Sequence, residues 1–441
     1  MSGSDPKLNL KLLRKASREK IEDYFIKLPQ NQRSTKWLQK NNRYRLKCTK
    51  RYEEDCVAVV PTLDKNHLIG YVSASAPTHV IDGWAYLGRA IDSALRGDQY
   101  NAIHLGYYAE LRAAMALLAG EGIAIFSRFH AIVDENGDVS PFPKKPIRNK
   151  GGGLGTHAAV WPILKHWSGL KRASDLLDQA VSPGSFSLKE WLSAGGANLS
   201  VPAIARHWLS TWGLDLETLG DDRDLRNLAS YRPSELRKPN AIDVYETAQF
   251  VEELWQLFEP SPSRRFPNLE RELLRRAWQK SAENPTPQSL ENIGISKEEA
   301  IEWSRFLSAP ANPKPFKLAE NRSAIEDAYC HLEVLSRAAL LLFVATSTAR
   351  RLLTNATYTA SDIAFWWRRY GEGRGLWPKL AAPADPYDLW ADIADTIGES
   401  AKWRASNPIG TATLADWRQS QVSALQTLGG FELVGVWGLL P

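Results

Sequence analysis

Apolar positions along the chain recur mostly at helical spacing. Residues 7–28 set Leu10, Leu13, Ile21, Phe25 and Leu28 on one face ahead of Pro29, which predicts an amphipathic helix. Residues 82–96 repeat the pattern with Trp84, Leu87, Ile91 and Leu95 until Gly97-Asp98 stops it. Residues 99–119 follow with Ile103, Tyr107, Tyr108, Leu111, Met115 and Leu118, closed by Gly120-Glu-Gly. The same spacing predicts helices over 156–167, 173–181, 187–194, 202–213, 241–258, 267–282, 296–308 and 322–355. Glu259-Pro-Ser-Pro-Ser-Arg-Arg and Ala309-Pro-Ala-Asn-Pro-Lys-Pro read as breaks between them. Strand patterns are few. Val57-Ala-Val-Val-Pro and Leu68-Ile-Gly-Tyr-Val predict two short strands able to pair, and Phe129–Val133 with Asp138–Phe142 predict a hairpin around Asp134-Glu-Asn-Gly. The final Gly429–Trp437 reads as a short strand or an apolar tail docked on the body. The expected fold class is therefore mainly α. It comprises a basic arm with a small β element near the N-terminus over 1–75, a helical bundle over 76–258 and a C-terminal helical domain over 259–441.

Composition narrows the picture. With 441 residues, 44% hydrophobic and 24% charged, the chain has ordinary globular usage and is not a disordered protein. Three cysteines without a CxxC pair provide neither a disulfide framework nor a zinc site. No apolar stretch follows the first charges, and the longest apolar run, Ala338–Ala345, falls far short of the roughly 20 residues of a membrane span. A cytoplasmic protein without a membrane partner is expected. Seventeen tryptophans spread over the helical segments read as large core fillers. No Walker A, Gly-x-Ser-x-Gly, His-Glu-x-x-His or strand-placed Gly-x-Gly-x-x-Gly pattern occurs, so no cofactor and no metal is expected. Asp134, Asn136 and Asp138 mimic a calcium loop, but Val139 and Lys145 stand where it needs glycine and glutamate. Gly151-Gly-Gly-Leu-Gly-Thr-His reads either as an anion-binding nest before a helix beginning near Thr156 or as a hinge capped by Thr156.

Charge is uneven. The total is +5, yet residues 1–51 hold 15 Lys and Arg against four acids, a local +11. Aromatics are interleaved among these cations. Around Trp37 and Tyr44, the side chains of Lys36, Lys40, Arg43, Arg45 and Lys47 predict a nucleic-acid surface, with cations on phosphates and rings stacked on bases. The plainer reading is a solvated basic face whose aromatics belong to the core.

The stretch Ala102-Ile-His-Leu-Gly-Tyr-Tyr-Ala-Glu-Leu-Arg-Ala-Ala-Met-Ala-Leu-Leu-Ala-Gly resembles the core helix of HEPN-like proteins. Those carry Tyr-Tyr-Ala, small residues and Ala-Leu-Leu-Gly, with histidines downstream, here offered by His130 and His157. Asp224-Leu-Arg226-Asn227-Leu-Ala-Ser-Tyr231 resembles the Arg…His ribonuclease motif of that superfamily, with Tyr231 where the histidine belongs. No histidine of this chain has an arginine five to seven residues before it. The resemblance implies a helical bundle, metal-independent RNA cleavage, paired sites at a two-fold dimer and a role in bacterial stress or anti-phage defence.

Chemistry sharpens the candidates. Metal-free cleavage of RNA needs a proton carrier and a cation on the phosphorane-like transition state. Arg226 suits the second role. Tyr231, with an ordinary pKa near 10, is a poor base, and His104, His130 or His157 could be borrowed in its place, His104 standing one turn before Tyr108. Five residues turn a helix by about 500°, so Arg226 and Tyr231 share a site only if the chain bends at the helix end near Pro233. The expected function is binding or processing of nucleic acid, RNA rather than DNA. The alternative is a non-catalytic adaptor whose aromatic helices, such as Phe365-Trp366-Trp367, grip a partner effector protein.

Overall fold

The computed structural model describes residues 10–33, 36–58, 62–142, 155–200, 204–233, 243–261, 266–310, 312–321, 330–375, 377–383 and 385–441. The expected nest at Gly151–Leu154 lies outside them. Helices dominate, as expected from the spacing of apolar residues. Eight of them frame the regions of interest and are numbered in chain order: α1 (Arg18–Lys27), α2 (Cys48–Val57), α3 (Lys65–Leu95), α4 (Gln99–Gly120), α5 (Thr156–Trp167), α6 (Thr218–Tyr231), α7 (Cys330–Asn355) and α8 (Ala360–Arg374).

The centre is the α3–α4 pair with α7 laid across it. Small residues make this approach possible. A Cβ on Gly83 of α3 would come within 2.4 Å of the Leu342 side chain of α7, so any larger residue there would force Leu342 to move. Helix α7 is long and apolar enough to cross a membrane, but 94% of that apolar stretch is buried inside the protein, where it serves as the central core helix. One continuous apolar core runs from Leu13 and Phe25 through Trp84, Leu117 and Phe343 to Trp437 and Leu440. The boundary expected at residue 75 falls within α3, and the apolar core extends across residue 258.

The tryptophans are core fillers, as expected. Trp84, Trp167, Trp191, Trp208, Trp212, Trp255, Trp278, Trp417 and Trp437 are all fully buried. Several place their indole N–H on a partner, as Trp84 Nε1 does by donating to Thr346 Oγ1 at 2.8 Å.

The β element is small and antiparallel, in the order β1 (Ile123–Ala124), β2 (His130–Val133), β3 (Val139–Phe142). Ile123 faces Ile132, and Val133 faces Val139 across the predicted hairpin. Asp134 closes its turn by accepting from the backbone N–H groups of Asn136 and Asp138 at 3.1 and 2.8 Å. That turn explains the calcium-like spacing without a metal.

Three expectations need correction. Among the described residues the β element lies at 123–142 and not near the N-terminus, because Val57 ends α2 and Leu68–Val72 lies inside α3; Val59–Pro61 of the first expected strand lie outside the described residues. Leu68, Ile69, Gly70 and Val72 are all buried, so their continuous apolar run, which reads equally as a strand, fits a helix enclosed on several sides. The helix expected over 82–96 begins earlier, at Lys65, with Pro77 inside it. Residues 7–28 form a 3₁₀ turn, Leu10–Lys15, and then α1, whose N-cap Ser17 accepts from the Lys20 N–H. The end of the chain is the docked tail of the two alternatives, with Phe431, Val434, Val436 and Trp437 buried in short helical turns.

Candidate functional site

The α6 helix presents Asp222 and Arg226, four residues apart, to the same side. Both are buried; Asp222 meets α7 through Arg337, and Arg226 meets α4 through Tyr107 and Tyr108. Asp222 receives two charge-assisted bonds from the fully buried Arg337 of α7, at 2.8 Å from both Nε and Nη2. Glu110 of α4 completes the group, its Oε1 3.9 Å from Arg337 Nε. One cation is thus shared by two buried carboxyls. Burial, together with the negative charge of Asp222, raises the pKa of Glu110 well above that of an ordinary carboxyl.

One turn along, Arg226 has no acid to pair with among the described residues. Its guanidinium carbon lies 5.1 Å from the Tyr107 ring centroid and 5.5 Å from that of Tyr108, and only 6% of the residue is exposed. Among the described residues its Nε finds no hydrogen-bond acceptor. The aromatic faces supply the electrostatic compensation.

Two histidines complete the cluster. His104 Nδ1 lies 2.6 Å from Ser230 Oγ, and its ring is 5.0 Å from Tyr108. His157, in the first turn of α5, stacks on Tyr107 with Nδ1 3.0 Å from the phenol oxygen. Desolvation first, then the charge of Arg226, lowers the pKa of each, and Arg223 adds to the effect at His157. Both imidazoles are therefore biased to the neutral form at working pH.

Arg226 and His104 thus both lie against Tyr108. Tyr231 does not join them: it is 75% exposed. The reason is geometric. Helix α6 runs to Tyr231, and the backbone departs from helical angles only at Arg232 (φ −143°, ψ 54°), one residue too late to turn the phenol inward. His130 is a buried core histidine whose Nδ1 accepts from the Phe126 N–H at 3.1 Å.

The basic segment divides in two. Lys36, Lys40, Arg43, Arg45 and Lys47 are exposed, whereas Trp37 and Tyr44, expected to stack on bases, are core side chains at 1% and 0% exposure. Tyr44 donates to Asp55 Oδ2 at 2.6 Å, and Trp37 packs edge-on against Phe365 at 5.3 Å. Lys36 and Trp37 both hold left-handed backbone angles (φ 59° and 57°), a strained arrangement anchored by the burial of Trp37 and by Tyr24 Oη donating to its carbonyl.

Folding brings a second cationic segment to face this one. Lys36, Lys40 and Arg45 line a cavity of about 940 Å³ together with Arg369 and Arg374 of α8. Asp82 of α3 is the only acid among the described residues of its lining, and Trp37, Phe365 and Trp366 form apolar wall. Burial raises the Asp82 pKa, while Arg112, Lys36 and Arg374 oppose the rise. The signal in the sequence was Trp366-Trp367-Arg368-Arg369, which has the aromatic–basic interleaving of the first segment, but it lies more than 300 residues away. Among the described residues, His, Cys, Asp and Glu form no cluster of three able to hold a metal ion.

No family model, no curated protein and no solved structure matches this chain.

Proposed function

We propose that the protein binds RNA through the cavity between the Lys36–Arg45 segment and α8. A single observation carries this reading: five cations from two distant segments line about 940 Å³ with one acid among the described lining residues, Arg374 also reaching Glu432 outside it. Such a ring attracts a phosphate backbone, and Phe365 at its wall offers a half-buried ring to an unstacked base. The HEPN-like resemblance favours RNA over DNA and a bacterial stress or anti-phage setting. A cytoplasmic location belongs to the same reading and suits three cysteines that are all free. Cleavage by an Arg226–Tyr231 pair is not part of it, since one group faces the interior and the other the solvent. Of the three aromatics named for the adaptor alternative, Trp366 and Trp367 are buried at 8% and 3% exposure, and Phe365 is half-buried.

The test is RNA affinity against salt. If all five cations meet phosphates, the log–log slope for a single strand is about −3.5. Lys40→Glu with Arg369→Glu should flatten the slope and weaken binding. A wild-type affinity that ignores salt, or a double variant that binds as well as wild type, would remove this reading.

A further inference from the structure

Helix α3 separates the basic cavity from a second, smaller one. Thr78 and Asp82 line the first, whereas Ser75 and His79 line the second. The second cavity, about 300 Å³, is enclosed by α3, α4, the β1 segment and the first turn of α5. That volume lies at the lower end of the range of small-molecule sites.

Its polar equipment is specific. Arg112 of α4 donates from Nη1 to His79 Nδ1 at 3.0 Å, which fixes the His79 proton on Nε2. Enclosure and the adjacent Arg112 lower the His79 pKa to about 3, so the ring is neutral. Arg112 Nε is buried without a hydrogen-bond partner among the described residues. A buried guanidinium N–H of this kind ordinarily has an acceptor. Asp82, 3.7 Å from Nη1, answers part of the charge from the other side.

The opposite wall adds a helix N-terminus. Helix α5 has 12 residues, its N-cap is Gly155, and no side chain among the described residues caps it. Thr156 and His157, which both line the cavity, begin the helix, so its positive end borders the cavity that Arg112 also lines. Tyr71, Tyr108 and Phe126 supply aromatic wall between the two.

We propose that this cavity binds a phosphate monoester carried on a group no larger than one nucleotide. A fixed guanidinium, an uncapped helix start and two neutral imidazoles give more donors than a carboxylate can use, and they suit a tetrahedral anion with three free oxygens. The aromatic wall and the volume suit a single base and sugar. The ligand is either a free mononucleotide or the phosphorylated end of a strand, and the site does not depend on the basic cavity next door.

Calorimetry on the full chain with AMP, UMP, adenosine and inorganic phosphate tests the proposal. AMP or UMP should bind, adenosine should bind at least about tenfold more weakly, and Arg112→Met should cost about tenfold or more. His157→Gln provides a second variant, with thermal unfolding measured on both to establish that each is folded; it should weaken AMP binding in a folded protein. Lys40→Glu with Arg369→Glu should leave AMP binding unchanged, which separates failure here from failure of the RNA reading. A tetranucleotide with a 5′-phosphate compared with its 5′-hydroxyl counterpart identifies the source, tighter binding of the phosphorylated form pointing to a strand end. Equal binding of AMP and adenosine, no binding by any phosphate-bearing probe, or full AMP affinity in both folded variants would overturn the proposal.

Discussion

Two cationic regions of this protein use the same side chains to opposite ends. In the interior, Arg337 and Arg226 sit among α4, α6 and α7; one is shared by Asp222 and Glu110, and the other is covered by Tyr107 and Tyr108. At the surface, Lys36, Lys40, Arg45, Arg369 and Arg374 ring a cavity with one acid among them. The interior cations have their partners built in, which makes them architecture that sets the electrostatics of nearby histidines. The surface cations outnumber the acid of the cavity they line, although Arg374 also pairs with Glu432 at 3.7 Å, and that excess charge makes them a site. The distinction lies in what balances each charge and not in residue type or local spacing.

The comparison can be broken most severely at Arg337. Arg337→Met leaves Asp222 buried without its cation, and loss of one partner of a buried pair costs about 3–5 kcal/mol. Chemical denaturation should show that loss, whereas Arg369→Glu at the surface should stay within about 0.5 kcal/mol of wild type. Equal effects would erase the contrast.

Glu110 sharpens it through pH. Its pKa in the fold is raised above the ordinary 4.5, so the folded state keeps a proton that the unfolded chain releases. Stability should therefore fall as pH rises above about 4.5, at up to about 1.4 kcal/mol per unit, until the folded-state pKa is passed. Glu110→Gln removes this contribution, and unfolding curves at pH 5 and pH 8 should differ less for the variant than for wild type. A larger difference in the variant would contradict the assignment.

Arg226 is the next step down. Arg226→Ala forfeits a cation–π contact of about 1–2 kcal/mol. It also removes a positive charge that lowers the pKa values of His104 and His157, both of which should climb toward 6.5 in an NMR titration. His104 faces Tyr108 and Ser230, and His157 faces Tyr107 and Tyr108 with Arg223 nearby, so neither has a carboxylate among these neighbours to mask the change. Unmoved histidines would mean that Arg226 is not where the cluster places it.

How much of this was legible beforehand depends on range. Helix α5 begins and ends at the predicted Thr156 and Trp167, and the β2–β3 hairpin forms around Asp134–Gly137, since both are set by local spacing and turn chemistry. The Lys314–Glu320 helix went unread because Pro313 and Pro315 look like breakers, yet they occupy its N-cap and second position, where a missing N–H costs nothing. Trp37 and Tyr44 looked like stacking rings because spacing cannot say which side of a segment meets the core. Arg369 and Arg374 were invisible as partners of Lys40, and so was Arg112 as a partner of His79, because only the packing of α3, α4 and α8 brings them together.

The most direct measurement of the central claim is ultraviolet cross-linking of a bound single-stranded RNA, followed by peptide mass spectrometry. The basic-cavity assignment predicts adducts in two peptides far apart in sequence, one spanning Lys36–Arg45 and one spanning Phe365–Arg374, both lost when Lys40 and Arg369 are changed to glutamate. Adducts confined to other surfaces, and unaffected by those two changes, would contradict it.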